Sequence, residues 1–302
     1  MHRIKPIFTS LLMAAGLAGF GTTAAMAAPV QVPTVTGSFD HLPHIVFPNA
    51  QAPNNLVVEV LHKGNGRVIH KRDLLVVNYL GQIWRGKVFD SSYSHPLFGI
   101  PIGVHQVIPG WDDGLVGKTV GSRILLVIPP KYGYGSKGQA SAGIKGTDTI
   151  TFVVDVVADY SESVHGDLHP TLITSKVGAV TVSGSLLSAA KITISPRATP
   201  PKTASLSLLS RGHGAKIKAG LIVLQTVVAN WSGVVQASTW TIGYPDAETI
   251  GQVGSPSLLD KLIGQPIGSR FLALVPKSGT SGPYAVVLVV VAQPHGTSNQ
   301  PS

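Results

Sequence analysis

The chain has 302 residues, of which 44% are hydrophobic and 12% are charged, and it has a formal net charge of +9 and no cysteine. This composition is enough for roughly two packed domains of about 150 residues each. It excludes a disordered protein, disulfides, thiolate catalysis and cysteine-bound metals. The basic residues are scattered, so we interpret the charge as favouring solubility and attraction to an anionic cell envelope, and we expect no nucleic-acid binding.

Residues 1–27 have the features of a secretory signal peptide. Arg3 and Lys5 make the start positive, residues 7–20 are mostly apolar, and Ala25-Met26-Ala27 matches the small-x-small cleavage pattern. The apolar run is shorter than the roughly 20 uninterrupted residues of a membrane helix. We therefore expect an exported protein, secreted or in the cell envelope, that is soluble after cleavage. Retention of the segment as an uncleaved anchor remains the alternative.

Residues 28–55 contain five prolines and are predicted to form an extended arm or linker, because proline restricts helix formation. In residues 56–159, apolar runs alternate with glycine and proline, which predicts a small antiparallel α+β domain. Residues 110–117 can form only a short helix, and Asp112 and Asp113 complement the positive end of its dipole. The predicted strands are Leu56–Leu61, Leu74–Leu80, Val88–Phe89, Ile124–Ile128 and Thr149–Val157.

The same landmarks recur 147 residues further along the chain. This offset relates Trp84 to Trp231, and it relates Gly121-Ser122-Arg123 to Gly268-Ser269-Arg270. One constant offset at separate landmarks indicates a domain duplication. The predicted boundaries are a connector over 160–202, a degenerate second domain over 203–292 and a C-terminal tail over 293–302.

Most aromatic residues of the first copy are missing from the second. A packed core alone would not tolerate this loss, because truncating each large buried aromatic residue costs about 3–5 kcal/mol. We therefore predict an aromatic-walled pocket in the first domain and expect the second domain to be inactive. At the constant offset the second copy has Thr226 for Tyr79, Gln236 for Phe89, Ala237 for Asp90, Leu258 for Trp111 and Ser281 for Tyr134.

Four short motifs stand in the first copy: Asn-Tyr-Leu-Gly (78–81), Phe-Asp-Ser-Ser (89–92), Val-Ile-Pro-Gly-Trp (107–111) and Tyr-Gly-Tyr-Gly (132–135). In this order and spacing they resemble the FKBP-type peptidyl-prolyl cis-trans isomerases. The resemblance implies an α+β fold with two tandem FKBP-like domains, each a five-stranded antiparallel sheet wrapped around one short helix. Two such domains behind a signal peptide are similar to exported bacterial members of this family.

The resemblance also implies roles for individual residues of the pocket. Asp90 resembles the buried carboxylate beside the prolyl imide, and Trp111 resembles the pocket floor. Tyr134 resembles the hydroxyl that bonds a substrate carbonyl, and the backbone at Val107 and Ile108 resembles the edge that hydrogen-bonds the substrate. The implied catalytic residues are Tyr79, Asp90, Trp111, Tyr134 and Phe152, and the implied substrate-binding residues are Phe89, Phe98, Val107, Ile108 and Ile144.

Prolyl isomerisation requires no nucleophile. Rotation about a peptide bond costs about 18–20 kcal/mol because amide resonance is broken. A dry aromatic pocket favours the twisted, less polar amide over the planar forms that water hydrates best. We therefore expect a monomeric isomerase that acts on proline-containing polypeptides and assists the folding of exported proteins. The alternative is a non-catalytic peptide-binding chaperone or a cell-envelope scaffold.

We expect neither a cofactor nor a metal. His41 and His44, and likewise His165 and His169, are spaced like metal ligands, but both pairs lie in predicted linkers. Macrolide inhibitors are a further ligand class that the resemblance implies. Here this sequence departs from the family, since Gln139 stands at the loop position usually filled by histidine.

Overall fold

The computed structural model describes residues 31–294, in which two large antiparallel sheets follow one another along the chain. The predicted signal peptide and most of the predicted C-terminal tail lie outside these residues. Among the described residues, no helix is both long and apolar enough to span a membrane.

The arm predicted over residues 28–55 is a folded hairpin over part of its length. Strand β1 (Thr34–Thr36) pairs antiparallel with β2 (His44–Val46). Ile45 is buried and packs in one cluster with Leu125 on the face of the first large sheet. These strands have the predicted extended backbone, and their pairing and burial are what the sequence did not indicate, since proline disfavours helix but permits short edge strands.

The first large sheet has six strands rather than the expected five. They run in the order β3-β7-β8-β4-β5, and β6 also pairs with β4. Strand β6 lies in a stretch that its glycine and proline residues predict to be a loop, and it forms a ladder with one neighbour only. The bounds are β3 (Val57–His62), β4 (Leu74–Ile83), β5 (Val88–Ser91), β6 (Phe98–Pro101), β7 (Arg123–Ile128) and β8 (Ile150–Tyr160).

One short helix, α1 (Pro109–Leu115), lies close against β7 because it has glycine where it meets the sheet. A Cβ added at Gly110 would lie 2.8 Å from Ile128, and one at Gly114 would lie 2.6 Å from Leu126. Such distances are too short for any side chain larger than hydrogen. The two glycines therefore allow Trp111 to sit deep above the centre of the sheet.

The predicted connector over 160–202 also contains folded strands rather than a plain linker. Apolar side chains of this stretch, Val180, Val182 and Ile192, are buried against the second large sheet, which explains why it folds. Its strands are β9 (Thr171–Leu172), β10 (Lys176–Val177), β11 (Val180–Ser183) and β12 (Lys191–Ile194).

The second large sheet has seven strands, in the order β15-β14-β18-β17-β13-β9 with β16 also on β14. The counterpart of α1 is a 3₁₀ helix at Leu258–Leu262 instead of an α-helix. The remaining elements are β13 (Ser205–Arg211), β14 (Gly220–Asn230), β15 (Val235–Ser238), α2 (Thr239–Ile242), β16 (Asp246–Ile250), β17 (Arg270–Val275) and β18 (Tyr284–Ala292).

The two large sheets have the same register at equivalent strands. Tyr79 pairs with Val154 across β4 and β8, and its counterpart Thr226 pairs with Leu288 across β14 and β18. The backbone angle φ of Gly117 is +83° and that of its counterpart Gly264 is +84°. Since such angles favour glycine, these two residues are retained for their conformation. The indole groups correspond as well: Trp84 donates to the carbonyl of Ala50 and Trp231 to that of Ala198.

A buried ion pair joins the hairpin to the first sheet. The Arg123 guanidinium donates two hydrogen bonds of 2.7 Å to the carboxylate of Asp155, and both side chains are almost fully buried. Asp155 also accepts from the backbone N–H of Asp40 and from the Tyr93 hydroxyl, each at 2.7 Å. Two carbonyls of the hairpin loop and the Tyr93 hydroxyl accept the other hydrogen bonds of Arg123. The pair is therefore fully hydrogen-bonded, as a buried charge requires.

We predict that Asp155→Ala lowers the free energy of unfolding by about 3–5 kcal/mol, because it leaves the Arg123 charge buried without its counter-ion. Urea titration followed by tryptophan fluorescence measures this change. Asp113→Ala, which removes the same charge from an exposed position of α1, is the control and should change stability little. A loss below about 1 kcal/mol in Asp155→Ala would contradict the prediction.

Candidate active site

A cavity of about 380 Å³ opens between α1 and the first large sheet. It contains nine of the ten residues that the sequence motifs implicate, all except Ile144. It also contains His105 and Gln106, which precede the Val-Ile motif directly. The residues that line it are Tyr79, Phe89, Asp90, Phe98, His105, Gln106, Val107, Ile108, Trp111, Tyr134 and Phe152.

The glycine of the Asn-Tyr-Leu-Gly motif makes room for two of these rings. Gly81 pairs with Phe152 across β4 and β8. A Cβ at Gly81 would lie 2.7 Å from Phe89 Cζ and 2.8 Å from Phe152 Cε1. The motif therefore contains both the Tyr79 ring and a glycine, and the missing side chain at Gly81 leaves space for the rings of Phe89 and Phe152.

The aromatic rings meet edge to face. The Trp111 and Phe152 centroids are 5.2 Å apart at 87°, and the Tyr79 and Trp111 centroids are 5.5 Å apart at 82°. Phe89 and Phe152 repeat this arrangement at 5.5 Å and 87°. These are preferred aromatic geometries. They lock the rings against one another, so the cavity keeps a defined apolar wall.

The Trp111 indole lies at the base of this wall. Trp111 is 4% exposed, and within residues 31–294 its buried Nε1 has no hydrogen-bond partner. Buried donors are normally paired, so a donor left over in a cavity wall is typical of a functional site.

Asp90 and Tyr79 form the polar edge of the cavity. The Tyr79 hydroxyl donates to Asp90 Oδ2 at 2.7 Å, and the Ser91 backbone N–H donates to Asp90 Oδ1 at 2.9 Å. Asp90 is exposed at the rim rather than buried as expected, because it stands on the short edge strand β5. Burial, together with the negative charge of Asp90, raises the pKa of Tyr79 above its ordinary value. The Tyr79 hydroxyl therefore remains a proton donor at neutral pH.

Tyr134 lies between two 3₁₀ turns, Pro130–Tyr132 and Gly135–Lys137, in the long loop after β7. Partial burial, and then the charge of Asp90, raises the pKa of its hydroxyl. Tyr134 therefore also presents a protonated hydroxyl to the cavity.

Ile144 lies behind the wall instead of in it. It is 4% exposed and belongs to the same apolar cluster as Trp111 and Phe152. Its backbone exchanges two hydrogen bonds with Gln139, at 2.8 and 3.0 Å. Ile144 therefore closes the long loop and supports the rings, and it does not itself line the cavity.

Asp112 holds the backbone that runs along the cavity, in addition to its predicted place in the first turn of α1. Its buried carboxylate accepts hydrogen bonds from the backbone N–H of Gly103 at 2.6 Å and of His105 at 2.9 Å. His105 has a φ of +61°, an unusual conformation for a residue with a side chain. Sequence reasoning missed His105, although its position just before the Val-Ile motif was a usable signal.

The histidine pairs of the predicted linkers do not come together with other ligands. His41 Nδ1 lies 3.0 Å from the carbonyl of Phe39, and His165 Nδ1 lies 2.8 Å from that of Gly166. Within residues 31–294, no group of three or more histidine or acidic side chains is placed to hold a metal ion.

We predict that Asp112→Ala loosens the backbone beside the cavity, because hydrogen bonds to a charged group contribute about 1.5–3 kcal/mol. Hydrogen exchange at the amides of Gly103 and His105 should accelerate at least tenfold. Asp113→Ala should leave both rates unchanged within a factor of two. Unchanged protection in Asp112→Ala would show that the loop is held by other contacts.

Comparison with known proteins gives matches to the part of the chain that contains this cavity. The sequence profile of the family described as FKBP-type peptidyl-prolyl cis-trans isomerase matches residues 66–157. An FK506-binding protein of Streptomyces anulatus is 35% identical over 121 residues, which are 38% of this chain and 95% of that protein.

Two further comparisons give shorter matches. FkpA of Buchnera aphidicola, an FKBP-type peptidyl-prolyl cis-trans isomerase, is 38% identical over 106 residues, which are 34% of this chain and 40% of that protein. The crystal structure of FkpA from Escherichia coli has 35% identity and a TM-score of 0.32, and the match covers 36% of this chain and 50% of that one. The chain thus spans half or less of either FkpA protein.

Proposed function

Because this chain belongs to the FKBP-type peptidyl-prolyl cis-trans isomerase family, it is a peptidyl-prolyl isomerase, and we propose that the cavity over Trp111 is where it twists X–Pro bonds. The observation that supports this site is the meeting of four rings, Tyr79, Phe89, Trp111 and Phe152, beside the carboxylate of Asp90. The family binds proline-containing peptides, and a proline ring is an apolar group of suitable size for such a wall.

The chemistry follows from the apolar wall. The planar prolyl amide is polar and well hydrated, whereas the twisted amide has lost resonance and with it part of the carbonyl polarity. Transfer into a dry aromatic cavity therefore costs the planar forms more than the twisted form. Catalysis arises from this difference, because only interactions that favour the transition state raise the rate.

The polar groups at the rim orient the substrate. The Tyr134 hydroxyl and the backbone N–H of Ile108 donate to carbonyls on either side of the proline. The Asp90 carboxylate, which accepts a hydrogen bond from the Tyr79 hydroxyl, lies beside the X–Pro bond and helps to fix its orientation. These groups place the X–Pro bond over Trp111 in one orientation, which reduces the entropy cost of reaching the twisted state.

The second large sheet is a degenerate FKBP-like domain, so the chain has a tandem arrangement. Its support is the shared strand order and register, together with the loss of the pocket residues. Thr226, Ala237 and Leu258 stand where the first copy has Tyr79, Asp90 and Trp111. Without the ring cluster this domain lacks the apolar wall and does not catalyse isomerisation.

The substrates are exported polypeptides that fold outside the cytoplasm. The support is the signal-like sequence of residues 1–27, with its positive start and small-x-small motif. We propose that the protein acts as a monomer, because the cavity needs no residue from a second subunit.

We predict that Trp111→Leu, which introduces the residue of the second copy, lowers kcat/KM for an X–Pro peptide at least tenfold, a loss of about 1.4 kcal/mol of transition-state stabilisation. A coupled peptide-cleavage assay on the full chain measures this. Leu258→Ala, at the equivalent position of the second copy, is the matched control and should change kcat/KM less than twofold. A folded Trp111→Leu variant with full activity would place the site elsewhere, and no catalysis by the unaltered chain would favour a non-catalytic peptide-binding role.

A further inference from the structure

A second cavity, of about 270 Å³, lies beside Arg270 of β17 in the second domain. Three leucines at its rim are unusually exposed: Leu168 by 57%, Leu172 by 69% and Leu187 by 51%. Arg270 also lines the cavity, yet the residue as a whole is only 7% exposed. A buried cation therefore adjoins an exposed apolar rim, a combination that indicates an interaction site.

Arg270 is the counterpart of Arg123, but its acidic partner is gone. Arg123 stands opposite Asp155 in the ladder of β7 and β8, and Arg270 stands opposite Val289 in the ladder of β17 and β18. Val289 is buried, so an apolar side chain occupies the position of the carboxylate.

Strands β11 and β12 form the hairpin of the second copy, and it has an apolar residue where the first hairpin has Asp40. The backbone N–H of Asp40 donates to Asp155, and at the constant offset the counterpart of Asp40 is Leu187. The second copy has therefore kept the arginine while losing the carboxylate that pairs with it.

The hydrogen bonds of Arg270 leave part of its guanidinium unused. One terminal nitrogen donates to the carbonyl of Gly184 at 2.8 Å and the other to that of Ser185 at 2.5 Å. The buried Nε–H has no partner among residues 31–294, and no carboxylate of these residues forms an ion pair with the guanidinium. Burial without a counter-ion lowers the pKa of Arg270 below its ordinary value. A buried charge in this condition is costly, so an external anion gains from binding there.

We propose that this cavity binds the C-terminal carboxylate of an apolar polypeptide segment, with Arg270 as counter-ion and the leucine rim as the contact for the terminal side chains. A guanidinium matches the planar geometry of a carboxylate and forms its strongest hydrogen bonds with one. A chain end brings a carboxylate and an apolar side chain on the same residue, which is the combination that the cavity offers. The site is separate from the isomerase pocket and does not depend on the activity proposed for it.

The test uses the full chain and proline-free peptides, so that the isomerase pocket is not engaged. The probe is fluorescein-Gly-Ala-Leu-Ala-Leu with a free terminal carboxylate, and its binding is measured by fluorescence anisotropy. The same peptide as a C-terminal amide should bind at least tenfold more weakly. An amide with an internal glutamate should bind like the plain amide.

Three variants separate the site from general charge effects. Arg270→Met and Val289→Asp should each weaken binding of the free acid at least tenfold, the first by removing the cation and the second by supplying an internal carboxylate. Val289→Asp should also raise the thermal midpoint, which shows that its loss of binding is not unfolding. Arg211→Met removes the same charge from an exposed position of β13 and should change binding less than twofold.

Equal binding of the acid and the amide would overturn the proposal, and so would an equal loss in Arg211→Met. Arg270-dependent binding of the glutamate-containing amide at the affinity of the free acid would overturn the assignment to a chain end. The isomerase assay is independent of all these outcomes.

Discussion

The alternation of side chains along β8 is the constraint on which the first domain depends. Phe152 and Val154 point toward α1 and the cavity, whereas Val153 and Asp155 point toward the hairpin. The two faces of this one strand therefore contribute to two different packed clusters. A shift of the strand pairing by one residue would move every side chain to the opposite face. The Arg123–Asp155 pair opposes such a slip, because a shifted register would leave a buried charge without its partner.

Much of the cavity could be predicted because its residues stand in short motifs, and several of their contacts join residues that are close in the sequence. Gly81 on β4, for example, leaves room for the ring of Phe89 on the next strand, β5. The two residues are close in the sequence, so the motifs are enough to predict the contact. The failures involve contacts between distant parts of the chain. The hairpin before the first domain looked like a linker because its burial depends on Leu125, far along the sequence. The exposure of Asp90 depends on β5 being an edge strand, and the position of Ile144 depends on how the long loop closes.

Comparison of the two domains distinguishes the residues that the fold requires from those that the site requires. Gly264 and Trp231 retain the conformation and the hydrogen bond of their counterparts, so these positions serve the framework. Arg270 is different, since it is retained although the acid that pairs with Arg123 is lost. Arg270 keeps its bonds to two hairpin carbonyls but has no counter-ion, and an anion from outside the chain supplies one.

The closeness of α1 to the sheet has a consequence for how pockets of this kind can arise. Gly110 and Gly114 never touch a substrate, yet they determine how deep the Trp111 ring can sit. At the equivalent positions the second copy has Ser257 and Lys261, and its helix is of the 3₁₀ type. Restoring the lost aromatic residues there would not be enough, since Ser257 and Lys261 carry the side chains that the two glycines of α1 lack. For the second copy to regain activity, the spacing between its helix and its sheet would therefore have to change, and not only the residues that line a pocket.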